Sequence, residues 1–373
     1  MLKDKKKNRI IFIDLMRAFA VLMMVQGHTV DTLLADSYRT FDSPLFSFWF
    51  FMRGLTAPIF LFSSGTVFTY LFRMNKIPFS ENPRAKKGLK RFLLLVGLAY
   101  FLRYPTPYIF DFYNVSASQW QTFFQVDVLH LIGFGILFLI GLLYLAEKFN
   151  LRDVLVFSTA AFVAFSLYPL FSKIDWIKFL PLPIAGYLYQ GTGSLFPLIP
   201  WIGFIFAGAV LGSYLAHNSE VFTTKRFSLN LLYMAFLFIA ISLIGNTLEL
   251  AIYKQSNFWT TSPNLIFFRL GIVLLLNSGM SYLAIMVKKV PPIIFHIGRN
   301  TLPIYVVHLI ILYGSAWTMG LWSIFAKSFS VWSTIGAAIL MISLMISMVQ
   351  GFQFVKVRIK KREVDSGSIQ VQK

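Results

Sequence analysis

Three ionisable side chains lie in the first hydrophobic segment of the chain, where each is energetically costly. Asp14, Arg17 and His28 fall within a helix predicted over Arg9–Val30, and a charge at membrane depth costs at least about 2.5–3.5 kcal/mol on insertion scales. At about 100° per residue, the eleven steps from Arg17 to His28 return to within roughly 20°, and Asp14 lies about 60° from Arg17. The three side chains therefore share one helix face, as a polar seam about 16 Å long that we interpret as an active site.

His28 has the chemistry of a general base. Asp31 follows at i+3, a spacing at which a carboxylate can orient an imidazole and raise its basicity if the helix continues that far. The alternative is a satisfied histidine at a helix end beside a solvated aspartate, and the pair alone does not decide between them. Asp14 and Arg17 either neutralise each other, or Arg17 points into the bundle and binds an anionic ligand from the cytoplasm.

Further ionisable residues fall at or near the outer halves of later hydrophobic segments. They suit a polar cavity that positions an acceptor, or pairing across the bundle for stability. Asp127 and His130, three residues apart, predict a second carboxylate–imidazole pair. His308 falls in the ninth segment, about two turns from its inner end and at a depth comparable to that of Arg17. The outer group consists of Arg53, Arg103, Asp127, His130 and Arg269.

The sequence offers little for metal, thiol or nucleotide-hydrolysis chemistry. No two of the five histidines have the close spacing of a metal site, and no glycine-rich phosphate loop occurs. The chain also has no cysteine, which excludes a disulfide framework and a thiol nucleophile. We therefore expect no metal cofactor.

The composition is that of a polytopic membrane protein. Of the 373 residues, 57% are hydrophobic and only 13% are charged, and no long polar linker divides the chain. We expect a single all-α membrane domain over residues 1–373. The net charge of +19 comes largely from basic clusters before the first segment, in one loop and after the last segment. This distribution follows the positive-inside rule and favours a lipid bilayer over nucleic acid as the partner.

Ten spans of about 20 residues can be placed along the chain. An even count puts both termini in the cytoplasm, with residues 1–8 as a basic N-terminus and 357–373 as a tail. Residues 44–53 are apolar but too short to span, so we expect an interfacial or re-entrant helix there. The predicted spans are Arg9–Val30, Leu55–Met74, Phe92–Phe110, Phe124–Ala146, Val154–Phe171, Pro197–Ala216, Ser228–Tyr253, Pro263–Val287, Asn300–Leu321 and Val331–Phe354.

Five short motifs, in order along the chain, resemble those of a membrane acyltransferase family. The first is Asp14-x-x-Arg17-x10-His28, which resembles the opening of multi-span membrane acyltransferases. The others are similar to motifs of the branch that contains heparan-alpha-glucosaminide N-acetyltransferase. They occur at Leu55–Gly65, Val126–Gly133, Phe196–Gly203 and Arg299–His308.

The resemblance implies transfer of an acyl group from cytoplasmic acyl-CoA to a sugar on the far side of the membrane. It implies that His28 is the catalytic histidine and that Arg17 lies on the donor side. Asp31 or Asp127 would orient His28, and the outer group named above would bind the acceptor. The expected donor-binding residues are Arg17, Asp14, Lys86, Lys87, Arg91, His308 and Arg299.

The sequence thus predicts an acetyl-CoA-dependent N- or O-acyltransferase that modifies a glycan or glycolipid at a bacterial inner membrane, with a homodimer as a further prediction. Direct transfer and an acyl-histidine intermediate both remain open. The alternative function is a secondary transporter of a small polar or anionic solute, because intramembrane charges and a re-entrant segment also describe transport pathways. Against it, no two halves of the chain carry matching interrupted helices.

Overall fold

A computed structural model describes residues 10–218, 220–259, 262–287 and 289–370, with side chains as far as residue 359. Most of these residues fold into helices, joined by turns, several longer loops and one two-stranded hairpin. The predicted basic N-terminus, residues 1–8, lies outside the described residues. The elements are α1 (Ile11–Leu33), α2 (Pro44–Arg53), α3 (Thr56–Arg73), α4 (Pro83–Leu102), α5 (Ala117–Phe124), α6 (Val128–Lys148), α7 (Asp153–Ser166), α8 (Tyr168–Phe171), α9 (Leu182–Ala185), α10 (Leu198–His217), α11 (Lys225–Tyr253), α12 (Asn264–Met286), α13 (Pro292–Arg299), α14 (Thr301–Tyr313), β1 (Gly314–Ser315), β2 (Thr318–Met319), α15 (Trp322–Phe325) and α16 (Val331–Gln370).

The protein is an all-α polytopic membrane protein. Within the described ranges, eight helices are long and apolar enough to cross a bilayer, or nine if one bent pair counts as a span. The predicted third span differs most from the structure, because its helix, α4, begins at Pro83 and takes in the basic residues at 84–91. Asn82 sets this start, since its side chain accepts a hydrogen bond from the Arg84 amide at 3.0 Å. The predicted count of ten spans and the sidedness of the termini remain predictions.

The predicted ninth span, Asn300–Leu321, is a continuous helix only over α14 (Thr301–Tyr313). Helices α13 and α14 meet at an angle of 71°, and α14 ends at Tyr313 because Gly314 adopts a φ of +83°. The short helix expected over residues 44–53 is confirmed as α2 (Pro44–Arg53). A helical span as far as Leu321 was therefore wrong. The short helix over residues 44–53 was right, and with α3 it also forms one apolar stretch, Pro44–Arg73, that is long enough to span.

The chain divides into two compact units. Unit 1 contains Met1–Met16, Gly54–Lys288 and Ser315–Trp317. Unit 2 contains Arg17–Arg53, Lys289–Gly314 and Thr318–Lys373. In unit 1, α10 packs against α3, α6 and α7, while α11 pairs with α12 and α4 with α6. In unit 2, α16 contacts both α13 and α14.

Helices α3 and α10 of unit 1 are held close together by glycines. A Cβ on Gly65 of α3 would overlap the carbonyl group of Ile205. In the same way, Cβ atoms on Gly208 and Gly212 of α10 would overlap the carbonyls of α3. This small-xxx-small spacing lets two membrane helices approach until their backbones touch. The glycines of α10 therefore allow this helix to pack directly against the backbone of α3.

Replacing Gly208 with valine should separate α3 from α10 and destabilise the fold. Overpacking of a close contact typically costs about 1–3 kcal/mol, and here the added atoms meet backbone that cannot rotate away. Thermal melting of the purified protein in detergent measures the effect. Gly141→Ala is the matched control, because a Cβ there meets nothing within 4 Å. Equal melting temperatures for the two variants would contradict the close contact.

The part of α1 that belongs to unit 2 carries two threonines whose hydroxyls bond within the helix. The hydroxyls of Thr29 and Thr32 donate to the carbonyls of Val25 and His28, at 2.8 and 2.7 Å. Such bonds to the preceding turn let hydroxyl side chains lie in an apolar helix without an unpaired polar group. Helix α1 therefore continues through Asp31 to Leu33.

Candidate active site

His28 lies on α1 within a cluster of three ring side chains in unit 2. Its Nδ1 atom lies 3.1 Å from the hydroxyl of Tyr313, the last residue of α14. The His28 ring is also 5.4 Å, between centroids, from the ring of His308 on the same helix. His28 is half-buried, whereas His308 is fully buried. His28 is therefore partly accessible, and its Nδ1 atom is held by Tyr313.

His308 is fixed by its own helix. Its Nδ1 hydrogen is donated to the carbonyl of Ile304 at 2.7 Å. Its Nε2 is buried and has no hydrogen-bond partner among the described residues. A neutral imidazole that donates through Nδ1 carries its lone pair on Nε2. His308 thus places an unused acceptor beside His28.

The depth predicted for His308 is wrong. The sequence-based count placed it level with Arg17, but its ring packs against His28, eleven residues further along α1. Arg17 instead donates to the Thr301 hydroxyl at 3.2 Å, at the start of α14. Both ends of the polar seam therefore contact α14, which confirms that Arg17 and His28 share one helix face. The count failed because it gave the inner ends of the first and ninth segments the same depth, whereas Arg17 itself contacts the first residue of α14.

Asp31 does not make the contact with His28 that its i+3 spacing predicts. Its carboxylate is instead ion-paired with the Arg53 guanidinium, at the end of α2. Arg39 lies 3.7 Å from the other carboxylate oxygen, and it donates to the carbonyls of Asp31 and Val30 at 2.7 and 3.0 Å. Arginine competes better for a carboxylate than a neutral imidazole does, because both partners are charged. The partner of His28 is Tyr313, which sequence reasoning missed.

A second polar cluster lies in unit 1, around the start of α6. Asp127 caps this helix by accepting from the amides of Leu129 and His130, at 2.9 and 3.3 Å. The same carboxylate oxygen is 3.1 Å from His130 Nδ1. The predicted carboxylate–imidazole pair is therefore confirmed as a contact. It is explained locally by the capping box, in which residues one turn apart bond reciprocally.

Arginine and tyrosine complete this cluster. Arg103 lies 3.7 Å from the second oxygen of Asp127 and donates to the Gln125 side chain at 2.8 Å. The Tyr100 ring packs edge-on to the His130 ring at 4.5 Å, and its hydroxyl is 3.0 Å from that of Tyr187. His130 itself is fully buried, with Nε2 lacking a partner in the described part of the chain.

The remaining predicted site residues are distributed over both units. In unit 1, Arg269 of α12 lies with its guanidinium 5.6 Å from the centroid of the Trp201 ring, a cation–π contact. The basic residues Lys86, Lys87 and Arg91 are exposed on the first turns of α4. Asp14 is half-buried near the start of α1. In unit 2, Arg299 is exposed at the end of α13.

The signal for Tyr313 in the sequence is weak. It stands five residues after His308 in an apolar segment, as a hydroxyl-bearing ring at membrane depth. A tyrosine in an apolar segment usually finds a polar partner for its hydroxyl. Its partner lies 285 residues away in the chain, so the pairing follows only from the fold.

Comparison with known proteins gives one family match. The family described as "heparan-alpha-glucosaminide N-acetyltransferase, catalytic" matches residues 9–258, which is more than half of the chain. The matched region includes His28, Asp31 and the cluster around Asp127, and it ends before His308 and Tyr313. No curated protein matches the chain. The eight apolar helices, the histidine on α1 and the extent of this match lead to one conclusion: the chain belongs to the heparan-alpha-glucosaminide N-acetyltransferase family of membrane acetyltransferases.

Proposed function

We propose that the protein transfers an acetyl or other short acyl group from cytoplasmic acyl-CoA to an amine or hydroxyl of a glycan outside the membrane. The observation that carries this proposal is the half-buried His28, held at Nδ1 by Tyr313 on a helix face that begins with Arg17. A histidine fixed at one ring nitrogen presents the other for proton transfer. The membership of an acetyltransferase family supports the same chemistry.

In the proposed reaction, His28 acts as the general base. Nδ1 donates its hydrogen to Tyr313, so the lone pair is on Nε2. The acceptor nitrogen or oxygen attacks the thioester carbonyl while its proton passes to Nε2. A carbon–nitrogen or carbon–oxygen bond forms, the carbon–sulfur bond breaks, and the proton on Nε2 passes to the departing CoA thiolate. An acyl-histidine intermediate is the alternative route, in which Nε2 itself attacks the thioester.

In each unit, the residues proposed to bind the donor include cations that suit the phosphates of CoA. Arg17, Lys86, Lys87, Arg91 and Arg299 carry positive charge, and phosphate binds arginine and lysine by charge-assisted hydrogen bonds. Asp14 and His308 are the two other residues proposed to bind the donor, and their neighbours indicate what each would do. Asp14 accompanies Arg17 on α1, and His308 borders His28, where it would contact the acyl end of the donor.

The residues proposed to bind the acceptor are Arg53 in unit 2 and Arg103, His130 and Arg269 in unit 1, with Asp31 and Asp127 as the orienting carboxylates of each unit. The contacts of the two carboxylates indicate which residue each of them would orient. Asp31 orients Arg53, its ion-pair partner, while Asp127 orients His130 and Arg103. We further propose that the protein acts as a homodimer in a bacterial inner membrane, facing a glycan or glycolipid outside.

Transfer across a sealed bilayer tests the proposed function directly. The purified protein is reconstituted into liposomes that enclose glucosamine, and acetyl-labelled acetyl-CoA is added outside. Labelled acetyl should appear on the enclosed sugar, and liposomes without protein supply the background. If the label stays on CoA while an added solute accumulates inside, the protein is a transporter and the proposal is wrong.

CoA should stabilise the detergent-solubilised protein against heat. A ligand that binds only the folded state adds about 2.7 kcal/mol of stability at 100 times its Kd. Arg17→Gln should reduce this gain, because it removes a cation from the proposed donor side. Arg152→Gln, which removes an exposed charge before α7, should leave the gain unchanged. A melting temperature that does not respond to CoA would contradict donor binding.

Tyr313→Phe should lower kcat by about 2- to 10-fold while leaving the acceptor KM nearly unchanged. The variant keeps the ring beside His28 and removes only its hydroxyl, and one neutral hydrogen bond contributes about 0.5–1.5 kcal/mol. Initial rates of acetyl transfer provide the measurement. Tyr253→Phe, at the exposed end of α11, is the control. Equal kcat values for the two variants would show that Tyr313 does not position His28.

A further inference from the structure

We propose that the segment between α4 and α5 forms a subsite for one sugar ring of the acceptor, a ring that is uncharged or carries an amine. A cavity of about 210 Å³ opens in this segment of unit 1, lined in part by Thr106, Tyr108, Asp111 and Asn114. Pockets for drug-sized ligands measure about 300–1,000 Å³, so this one suits a single ring. The inference rests on the proposed function only in taking the sugar to be part of the acceptor.

The cavity presents hydrogen-bonding groups that the protein does not use. Among the described residues, neither the Asn114 amide nor the Tyr108 hydroxyl has a hydrogen-bond partner. Asp111 uses one carboxylate oxygen, which accepts from the Tyr113 amide at 3.2 Å. The Thr106 hydroxyl accepts from the Tyr108 amide at 3.2 Å and keeps its hydrogen to donate. Donors and acceptors are thus both available, as a ligand rich in hydroxyl groups requires.

The charge of the cavity selects among sugars. Asp111 is its one charged lining residue, and no lysine or arginine lines it. A phosphate, sulfate or uronate group would meet a carboxylate with no compensating cation, whereas a sugar ammonium group would gain a charge-assisted hydrogen bond. The lining therefore favours neutral sugars and amino sugars over acidic ones.

The segment that forms the cavity also carries exposed aromatic side chains, of which Tyr108 lines the cavity. Tyr108, Phe110 and Tyr113 are 69%, 84% and 92% exposed. Exposed aromatic side chains that lie together in one segment are typical of a ligand-binding groove or a membrane contact. The polar groups of Asp111 and Asn114 in the same turn would be left unpaired in hydrocarbon, at a cost of several kcal/mol each. A water-exposed site for sugars accounts for both the aromatic and the polar side chains, because aromatic rings bind the apolar faces of sugar rings and polar groups bind their hydroxyls.

The walls of the cavity are tied in place before any ligand arrives. Trp317, which belongs to unit 1, donates its indole hydrogen to the carbonyl of Pro107 at 2.9 Å and stacks on the Tyr104 ring at 5.7 Å. Gln119, another lining residue, donates to the carbonyl of Pro105 at 2.9 Å. A preorganised site loses less entropy on binding.

Ligand-observed saturation-transfer NMR on the full-length protein in detergent tests the subsite. The probes are glucosamine, methyl glucoside, glucuronate and glucose 6-phosphate. Glucosamine and methyl glucoside should show transfer, and the two acidic sugars should bind about tenfold more weakly or not at all. The double variant Asp111→Asn, Asn114→Ala should lose most of the glucosamine signal. Ser118→Ala in the neighbouring helix α5 is the control, and melting curves confirm that both variants fold.

Three results would overturn the proposal. The first is equal binding of acidic and neutral sugars, and the second is an unchanged signal in the double variant. The third is the absence of sugar binding together with a loss of stability in lipid nanodiscs, but not in detergent, for Phe110→Ser. That result would make the segment a bilayer anchor.

Different results would refute the proposed subsite and the proposed acyltransferase function. If acetyl transfer occurs without sugar binding at this cavity, the subsite is wrong and the proposed function stands. If sugars bind at the cavity and no acetyl is transferred, the proposed function is wrong and the subsite stands.

Discussion

Replacing His28 with alanine should lower kcat for acetyl transfer by about 10²- to 10⁴-fold, the range that a positioned general base contributes. The variant removes the only proton acceptor assigned to the reaction and leaves its neighbours in place. Helix α1 should remain folded, because Thr29 and Thr32 satisfy their own hydrogen bonds within it. Initial rates with labelled acetyl-CoA and an amino-sugar acceptor provide the measurement.

His217→Ala is the matched control for this experiment. His217 bonds to the Ser213 carbonyl at 2.8 Å at the end of α10, so its loss should not affect transfer. Mass spectrometry of quenched wild-type protein separates the two routes, because an acetyl group on His28 would establish the covalent intermediate. A folded His28→Ala protein with undiminished transfer would rule out both routes.

Breaking the pair between Asp31 and Arg53 should destabilise the protein more than it slows the chemistry. Removing one partner of a fully buried ion pair costs about 3–5 kcal/mol. Here the cost should be smaller, about 1–3 kcal/mol, because Arg53 keeps 37% of its side chain exposed. Arg53→Gln should therefore lower the melting temperature, since Arg39 at 3.7 Å compensates Asp31 only in part.

A double-mutant cycle distinguishes a structural pair from a catalytic carboxylate. The variants Asp31→Asn, Arg53→Gln and their combination are compared in stability and in kcat. For a structural pair, the double variant should be more stable than the sum of the single losses predicts, and all three should retain most of kcat. If Asp31→Asn alone abolishes transfer at unchanged stability, Asp31 acts on His28 and the ion pair is secondary.

Contacts within one helix were predictable from the sequence. Arg17 and His28 contact the same neighbouring helix because helical geometry fixes their relative direction over eleven residues. Asp127 and His130 meet because residues three apart face each other across one turn. These predictions needed only the period of the helix and its start.

Contacts between distant segments were not predictable. The spacing of Asp31 from His28 suggested a pair, but the path of the chain after α1 brings Arg39 and Arg53 to the carboxylate. Tyr313 contacts His28 because the end of α14 lies beside α1 in the fold. The depth of His308 depended on where α14 begins beside α1, which apolar composition does not reveal. Partner choice thus requires knowledge of where each helix turns.

The carboxylate of Asp127 contacts both the first-turn amides of α6 and the His130 ring, so the helix start and the ring are coupled. It closes the first turn of α6 through the Leu129 and His130 amides and at the same time contacts the His130 ring. A ligand that drew Asp127 or His130 away would also release those amides, and losing such a cap costs about 1 kcal/mol. Hydrogen–deuterium exchange at the start of α6 would therefore report whether the second polar cluster is occupied, without any enzymatic assay.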